Sequence, residues 1–399
     1  MHDQALRLHG YRGWVVMFWW CFPGISVTGL PIFASSPVQD APCGGAHTVV
    51  IGAGASGLAA AHFLSAHNCS VVCVEGRARI GGRSYSADLE DVEGVFDGVD
   101  RGAHWVHGGR NNPITTAYLD HFGIRRLDVG GDSTYEGERD KMCLYCEATG
   151  QRVSPAYIDA SFDLFAYQMA LATSYFTLRQ RELPTDLSVA EAITRASKRA
   201  GILLDNRSRA FMNWHQALKF EGDEAAPTAN VSMRSEAFSP YTVFYPHQCD
   251  EISHGGRCTP AQGDQVIVGG YSQLMEALSR DLHPAILLNR SVVSIRTFPA
   301  AKDKRVYIET SSETLVADKV ILTLPLGVLK SGKVQFVPPL SRRKTLAIQQ
   351  IGFGSITKVF LYMCMRASVL CVYSRLWFLK GLGNLFRAMP HVTGSFALR

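Results

Sequence analysis

Three groups of residues in this 399-residue chain have types and spacing suited to chemistry. The first is a glycine set. A β-branched run at residues 47–51 turns at Gly52, Gly54 and Gly57, an Ala- and Leu-rich stretch follows, and a second apolar run at 70–74 ends at Glu75. A pyrophosphate needs backbone N–H groups with no side chain in the way, and a helix N-terminus supplies them with a favourable dipole. Gly52 would make the tight turn, Gly54 would let the backbone approach the phosphates, and Gly57 would let helix and strand pack closely. Ala55 and Ser56 sit at the mouth of that helix, and Glu75 can accept hydrogen bonds from a ribose 2′-OH. The second group is a pair of histidines, His104 and His107, in DRGAHWVHGG; taken alone, such a pair reads as a solvated turn. The third is Lys358, a single cation in the apolar run GFGSITKVFLYM. A buried ammonium is costly without polar partners, so it is either a functional donor or a strand-end lysine reaching for solvent.

These residues require a particular scaffold. The order strand, glycine turn, helix, strand, acid is the βαβ unit of a dinucleotide-binding fold, so the fold class is α/β with a Rossmann-like domain. From residue 114 to about residue 210 apolar residues recur at three and four, which predicts helices, with starts at Ser154-Pro155 and Thr185. Aromatics there, Trp214 included, and Tyr241 further on, are expected in the core rather than at a substrate. Residues 222–262 are rich in Pro, Gly, Ser and polar residues and predict loops with one or two short strands. Next comes GDQVIVGGYSQLMEALSRDL, a strand, glycine turn and helix. RVYIETSSETLVADKVILTLPLGVLKSG then predicts a hairpin, a buried strand and a P-L-G-V-L turn.

Four motifs together resemble the flavin-containing amine oxidase family: the glycine unit with Glu75; RARIGGRSYS, carrying Arg79, Gly82 and Arg83; DRGAHWVHGG; and FVPPLSRRKTLAIQQIGFGSITKVFLYM. The form GAHWVHG is most similar to polyamine oxidases of the spermine and acetylpolyamine type. The resemblance covers residues 47–363 and implies a glutathione-reductase-type FAD-binding domain interleaved with an α+β substrate domain. It implies FAD as cofactor. Arg79, Gly82 and Arg83 would line the pyrophosphate and ribityl chain, and Gly102, Ala103, His104 and Trp105 would lie beside the isoalloxazine. Val292 would make a backbone contact to adenine. Lys358 would hold a water against flavin N5, and His107 would contact the substrate amine. The implied reaction moves a hydride from the α-carbon of a neutral amine to the flavin; the imine hydrolyses, and O2 reoxidises the flavin to give hydrogen peroxide. Spermine, spermidine or their acetylated derivatives are the implied substrates. The implied division is residues 47–125 and 263–340 for FAD, 126–262 for a helical substrate domain, and 341–364 for a substrate-domain strand carrying the lysine. A long helical-hairpin insertion and an extra N-terminal helical module mark the chromatin-acting demethylases of the superfamily; neither is found, which argues against a histone substrate.

Composition bounds the rest. Hydrophobic residues make up 47% and charged residues 19%, as in a packed globular chain. The formal net charge of +5 is mild and no aromatic-interleaved basic patch occurs, so nucleic acid is not an expected partner. The ten cysteines follow no metal-type repeat; the lone CxxC at Cys143 and Cys146 reads as ordinary thiols or one local disulfide, and no metal site is expected. In residues 1–46, Arg7 and Arg12 precede an apolar run at 14–35 interrupted by Pro23 and Pro31. It reads as a secretory signal or signal-anchor, with membrane contact through 14–35; a mis-set gene start and a cytoplasmic protein are the alternatives. N-x-S sequons occur at Asn68, Asn206, Asn230 and Asn289.

After residue 363 the resemblance stops. Residues 365–399 are basic, without acids or a family motif, and the family's returning FAD segment is not visible. The expectation is a C-terminally shortened chain, through a retained intron or frameshift, or else a replacement tail that touches a membrane. Other readings of the whole are an L-amino-acid oxidase or desaturase of the same fold, a non-catalytic remnant, and a membrane-tethered scaffold.

Overall fold

The computed structural model describes residues 15–16, 43–87, 98–107, 112, 115–128, 152–179, 186–221, 224–237, 264–282, 286–298 and 305–358. By its contacts the chain divides into residues 1–160 with 235–352, and residues 161–234 with 353–399.

In chain order the first unit contains β1 (Val15–Val16), β2 (Thr48–Ile51), α1 (Ala55–Ala66), β3 (Val71–Val74), β4 (Ser86–Ala87), β5 (Val99–Asp100), β6 (Trp105–Val106), α2 (Thr115–His121) and β7 (Arg126–Asp128). The helix α3 (Pro155–Arg179) begins in this unit and runs into the second. The second unit also holds α4 (Val189–Arg199) and α5 (Asn206–Gln216). After α6 (Met233–Ala237) the chain continues with β8 (Gln265–Ile267), α7 (Ser272–Ser279), β9 (Ile286–Leu287), β10 (Val292–Thr297), β11 (Val306–Thr310), β12 (Thr314–Ala317), β13 (Lys319–Leu322), α8 (Leu326–Lys330), β14 (Gln335–Val337) and α9 (Arg342–Gln350).

The centre of the first unit is a parallel sheet of order β1-β13-β2-β3-β9. Successive side chains of a strand face opposite sides, and here both sides are covered. Val50 and Cys73 face a layer with Leu58 and Ala61 of α1 and Leu274, Met275 and Leu278 of α7. Val49, Ile51 and Val74 face the other way, onto Ile295, Val306 and Ile308 of the second sheet, β12-β11-β10-β14. That is why the runs at 47–51 and 70–74 are continuously apolar rather than alternating. The hairpin β11–β12, the buried β13 and the turn opening at Pro325 stand where the sequence predicts them.

The helix α3, which runs into the second unit, opens at Pro155, as expected, with its fixed φ suited to a first helical position. The start expected at Thr185 is a correction. The N-cap of α4 is Ser188, whose Oγ accepts the Glu191 N–H at 3.2 Å. Ser188 and Glu191 form the S-x-x-E pattern of a helix start, and Thr185 lies outside the described residues. Asp205 caps α5 in the same way, accepting from Ser208 N at 2.7 Å. Trp214 makes an edge contact with Phe162, and His215 is buried, stacked on Phe165 with Nε2 3.0 Å from Ser161 Oγ. These are core contacts, as expected for the aromatics; Tyr241 lies outside the described residues.

Other expectations compare as follows with the structure. Residues 126–128 form β7, which pairs with β8 and so belongs to the first unit, not to a helical segment. Within 222–262 the described part, 224–237, carries a 3-10 turn and the short helix α6; residues 238–262, where short strands are also expected, lie outside the described residues. The segment 341–364, expected as a strand, begins with α9, because Ser341 Oγ accepts the Lys344 N–H and starts a helix. Residues 352–358 then run without regular structure, and residues 359–364 lie outside the described residues. Of the segment 14–35 only β1 is described, a two-residue strand parallel to β13. Among the described residues no helix is long and apolar enough to cross a membrane. Cys143, Cys146 and residues 365–399 lie outside the described residues.

Candidate functional site

The candidate site lies at the carboxyl ends of β2 and β3, where a doubly wound sheet binds its ligand. Gly52 takes φ +105°, and a Cβ there would come within 2.6 Å of Thr323 Oγ1. A Cβ on Gly57 would stand 1.7 Å from the Gly52 carbonyl oxygen. Both glycines are therefore required by the chain's own packing. Gly54 is not. Its φ is −81°, open to any residue, and a Cβ would meet nothing closer than the Gly82 Cα at 3.9 Å. The surface left bare at Gly54, at the N-cap of α1, fits a diphosphate drawn against the backbone.

Hydrogen bonds join the sequence motifs into one surface. Gly81 N donates to the Ala53 carbonyl at 2.8 Å, and Gly54 and Gly81 form a parallel bridge. Glu75 accepts from Ala53 N through Oε2 and from Arg77 N through Oε1, both at 2.9 Å. It therefore props the glycine loop open from behind, and each carboxylate oxygen keeps a second lone pair for a ribose hydroxyl. Arg79 donates to the carbonyls of Ile80 and Gly82 at 3.0 and 3.1 Å, and its guanidinium lies 3.8 Å from the centre of the Tyr85 ring. Arg83 is exposed, and its carbonyl accepts from Ala103 N at 3.0 Å. Gly102 has to be glycine here, because a Cβ would stand 1.8 Å from that same carbonyl. At the other edge Arg290 N donates to the Glu75 carbonyl at 2.8 Å, which brings Val292, the first residue of β10, to the end of β3.

The loop 102–107 rests on two buried carboxylates that the sequence reading did not single out. His104 Nδ1 lies 2.9 Å from Asp100 Oδ2, and Asp100 also accepts from Ser86 Oγ at 2.6 Å and Tyr271 N at 2.8 Å. Burial raises the Asp100 pKa, but the hydrogen bonds from His104, Ser86 and Tyr271 outweigh it and hold the carboxyl below its usual range. Tyr271 closes the arrangement by donating its hydroxyl to the Trp105 carbonyl at 2.9 Å. Burial, and then the charges of Asp100 and Asp264, push the Tyr271 phenol well above its ordinary value. His107 Nδ1 lies 3.0 Å from Oδ2 of Asp264. Asp264 stands one residue before β8 in GDQVIV; only strand pairing shows its partner. Lys358 is exposed and falls in the second unit, in a stretch without regular structure.

A glycine turn at a sheet's carboxyl edge, an acid at the end of the next strand and a loop clamped beside them define a dinucleotide-binding protein of the flavoprotein type. The family profile described as flavin containing amine oxidoreductase matches residues 55–366, and the chain belongs to that family. Its cofactor is FAD, and the bare backbone at Gly54 with the Glu75-supported loop fits it. The protein FLOWERING LOCUS D of Arabidopsis thaliana is 30% identical over 312 residues, covering 78% of this chain and 35% of that one. Lysine-specific histone demethylase 1 homolog 1 of Oryza sativa subsp. japonica is 30% identical over 326 residues, covering 78% and 34%. Probable polyamine oxidase 4 of Arabidopsis thaliana is 28% identical over 320 residues, covering 78% and 57%. This chain thus spans about a third of the length of the first two relatives. Wild-type putrescine oxidase bound to putrescine shares the fold at a TM-score of 0.52 and 21% identity, over 76% of this chain and 63% of that one.

Proposed function

We propose that the chain acts in the FAD-dependent oxidation of a C–N bond in a small amine of the polyamine class, spermine, spermidine or an acetylated derivative, with O2 as final acceptor. The observation that carries this reading is the continuous hydrogen-bonded surface from Gly54 through Gly81 and Arg83 to the GAHWVHG loop. FAD, when bound, supplies the two-electron acceptor for the C–N bond, and O2 restores it with release of hydrogen peroxide. The chain's own residues would do the following. Gly52, Gly54, Ala55, Ser56 and Gly57 offer backbone to the diphosphate, Glu75 receives the ribose, and Arg79, Gly82 and Arg83 flank the chain between the two rings. Val292 meets the adenine, and Gly102, Ala103, His104 and Trp105 form the wall beside the reacting ring. His107 receives the substrate amine. With Nδ1–H on the Asp264 carboxylate, a neutral imidazole presents its lone pair at Nε2 and can accept an amine proton or N–H. Lys358 is assigned the water used in the reaction with O2.

The demethylase-named relatives support a second reading, oxidation of a methylated lysine side chain on a protein. Against it, residues 238–263 are too few for a long helical hairpin. One experiment separates these. The purified chain is incubated with FAD, desalted, and its visible spectrum followed without oxygen. Retained flavin bleached by spermine or acetylspermine supports the proposal. Flavin bleached by a methyl-lysine peptide or an L-amino acid and not by polyamines replaces it. A colourless protein ends it for this chain.

A further inference from the structure

We propose that Cys43 and Cys69 form a structural cystine acquired in an oxidising compartment, and that Asn68, Asn206, Asn230 and Asn289 are N-glycan acceptors of the same maturation. The two Cα atoms are 5.8 Å apart and the sulfurs are bonded, a separation typical of protein disulfides. The crosslink joins the residues before β2 to the turn after α1, so it closes the βαβ unit that carries the glycine loop. Backbone already holds both ends in place: Ala46 N donates to the Cys43 carbonyl at 3.1 Å, and Cys69 N donates to the Leu64 carbonyl at 3.0 Å. His47 Nδ1, 2.7 Å from Ser70 Oγ, ties the same two segments beside the bond.

Both cysteines are buried, which shields the bond from exchange with outside thiols. The other described cysteine, Cys73, is buried too, and burial, then the Glu75 charge, push its thiol up to about 12. It forms no thiolate to attack the bond. Forming the cystine removes two protons and two electrons from the thiols; a disulfide-carrying oxidoreductase takes them and leaves as a dithiol. The thiol-rich cytosol keeps such pairs reduced, so this bond belongs to the secretory pathway or a comparable compartment.

The sequons are an independent observation. A glycan is bulky and requires a surface site, and all four asparagines are exposed. Asn68 and Asn289 occupy turns with φ of 57° and 55°, Asn206 opens α5, and Asn230 ends the 3-10 turn Thr228–Asn230.

The test uses the full chain with its own N-terminal residues, expressed in a eukaryotic cell and recovered from cells and medium. The protein is alkylated before reduction, digested and read by mass spectrometry, with and without peptide N-glycosidase. The expected result is a linked peptide pair holding Cys43 and Cys69, neither alkylated, with sequon asparagines converted to aspartate by the glycosidase. Alkylation of Cys43 and Cys69 in protein unfolded by denaturant without reductant would overturn the cystine and the compartment together. A linked pair with every sequon asparagine unmodified would overturn the acceptor assignment while supporting the cystine.

Discussion

His107 Nδ1 stands 3.0 Å from Asp264 Oδ2, and the antiparallel pairing of β6 with β8 is what brings them together. Trp105 faces Val266 and Val106 faces Gln265, so the next positions in that register are His107 and Asp264. The His107 side chain is 58% exposed while that of Asp264 is 4% exposed. A reachable ring is thus oriented by a carboxylate that cannot turn away.

Asp264→Asn keeps the shape and removes the charge that fixes the ring. Losing a hydrogen bond to a charged group costs about 1.5–3 kcal/mol, so amine turnover, as kcat/KM, should fall roughly 10–100-fold. Flavin retention should not change. Steady-state rates and the flavin spectrum of the variant check this, and an equal loss of flavin would show that Asp264 only holds the fold.

Gly54→Ala and Gly57→Ala should separate binding from folding. The Gly57 variant puts a methyl 1.7 Å from the Gly52 carbonyl oxygen and should lower stability by more than about 3 kcal/mol. The Gly54 variant meets only the Gly82 Cα at 3.9 Å, so the protein without flavin should melt as the parent does. Its affinity for FAD should nevertheless drop, because the new methyl occupies the diphosphate's approach. Thermal melts with and without FAD read both effects.

Glu75→Ala removes the acceptor for both Ala53 N and Arg77 N. The glycine loop then loses its support, and the ribose loses its acid. FAD affinity should weaken by roughly 10–100-fold, corresponding to one or two such hydrogen bonds. Flavin fluorescence quenching on titration measures it, and an unchanged dissociation constant would remove Glu75 from the site.

Asp100 makes stability fall with acid. Its folded pKa is held below the usual value, so the carboxylate stabilises the fold above its ordinary pKa of about 3.9. That contribution is lost as pH falls from there through the lower, folded pKa. Asp100→Asn should therefore be less stable than the parent at neutral pH, and the difference should shrink towards pH 3. Denaturant midpoints at the two pH values test this.

Much of the fold was legible because the signals are local. The apolar runs at 47–51 and 70–74, the three glycines and Pro155 each act through neighbouring backbone. Where local signals compete the expected boundary shifts: Ser188 caps α4 rather than Thr185, and residues 352–358 carry no regular structure. The Cys43–Cys69 bond was not visible among ten cysteines, since its ends are brought together by the βαβ unit itself.

By itself the sequence determined the dinucleotide-binding unit and its glycine turn, because turn chemistry and strand periodicity are written over a few adjacent residues, while FAD came from the resemblance to the family. Tertiary structure alone decided what Glu75, His104 and His107 touch. The Glu75 carboxylate meets a backbone N–H 22 positions away, and the carboxylate that orients His107 lies 157 positions along the chain. Contacts of that range are set by which strands pair and in what register, and register is a property of the packed sheet rather than of either strand.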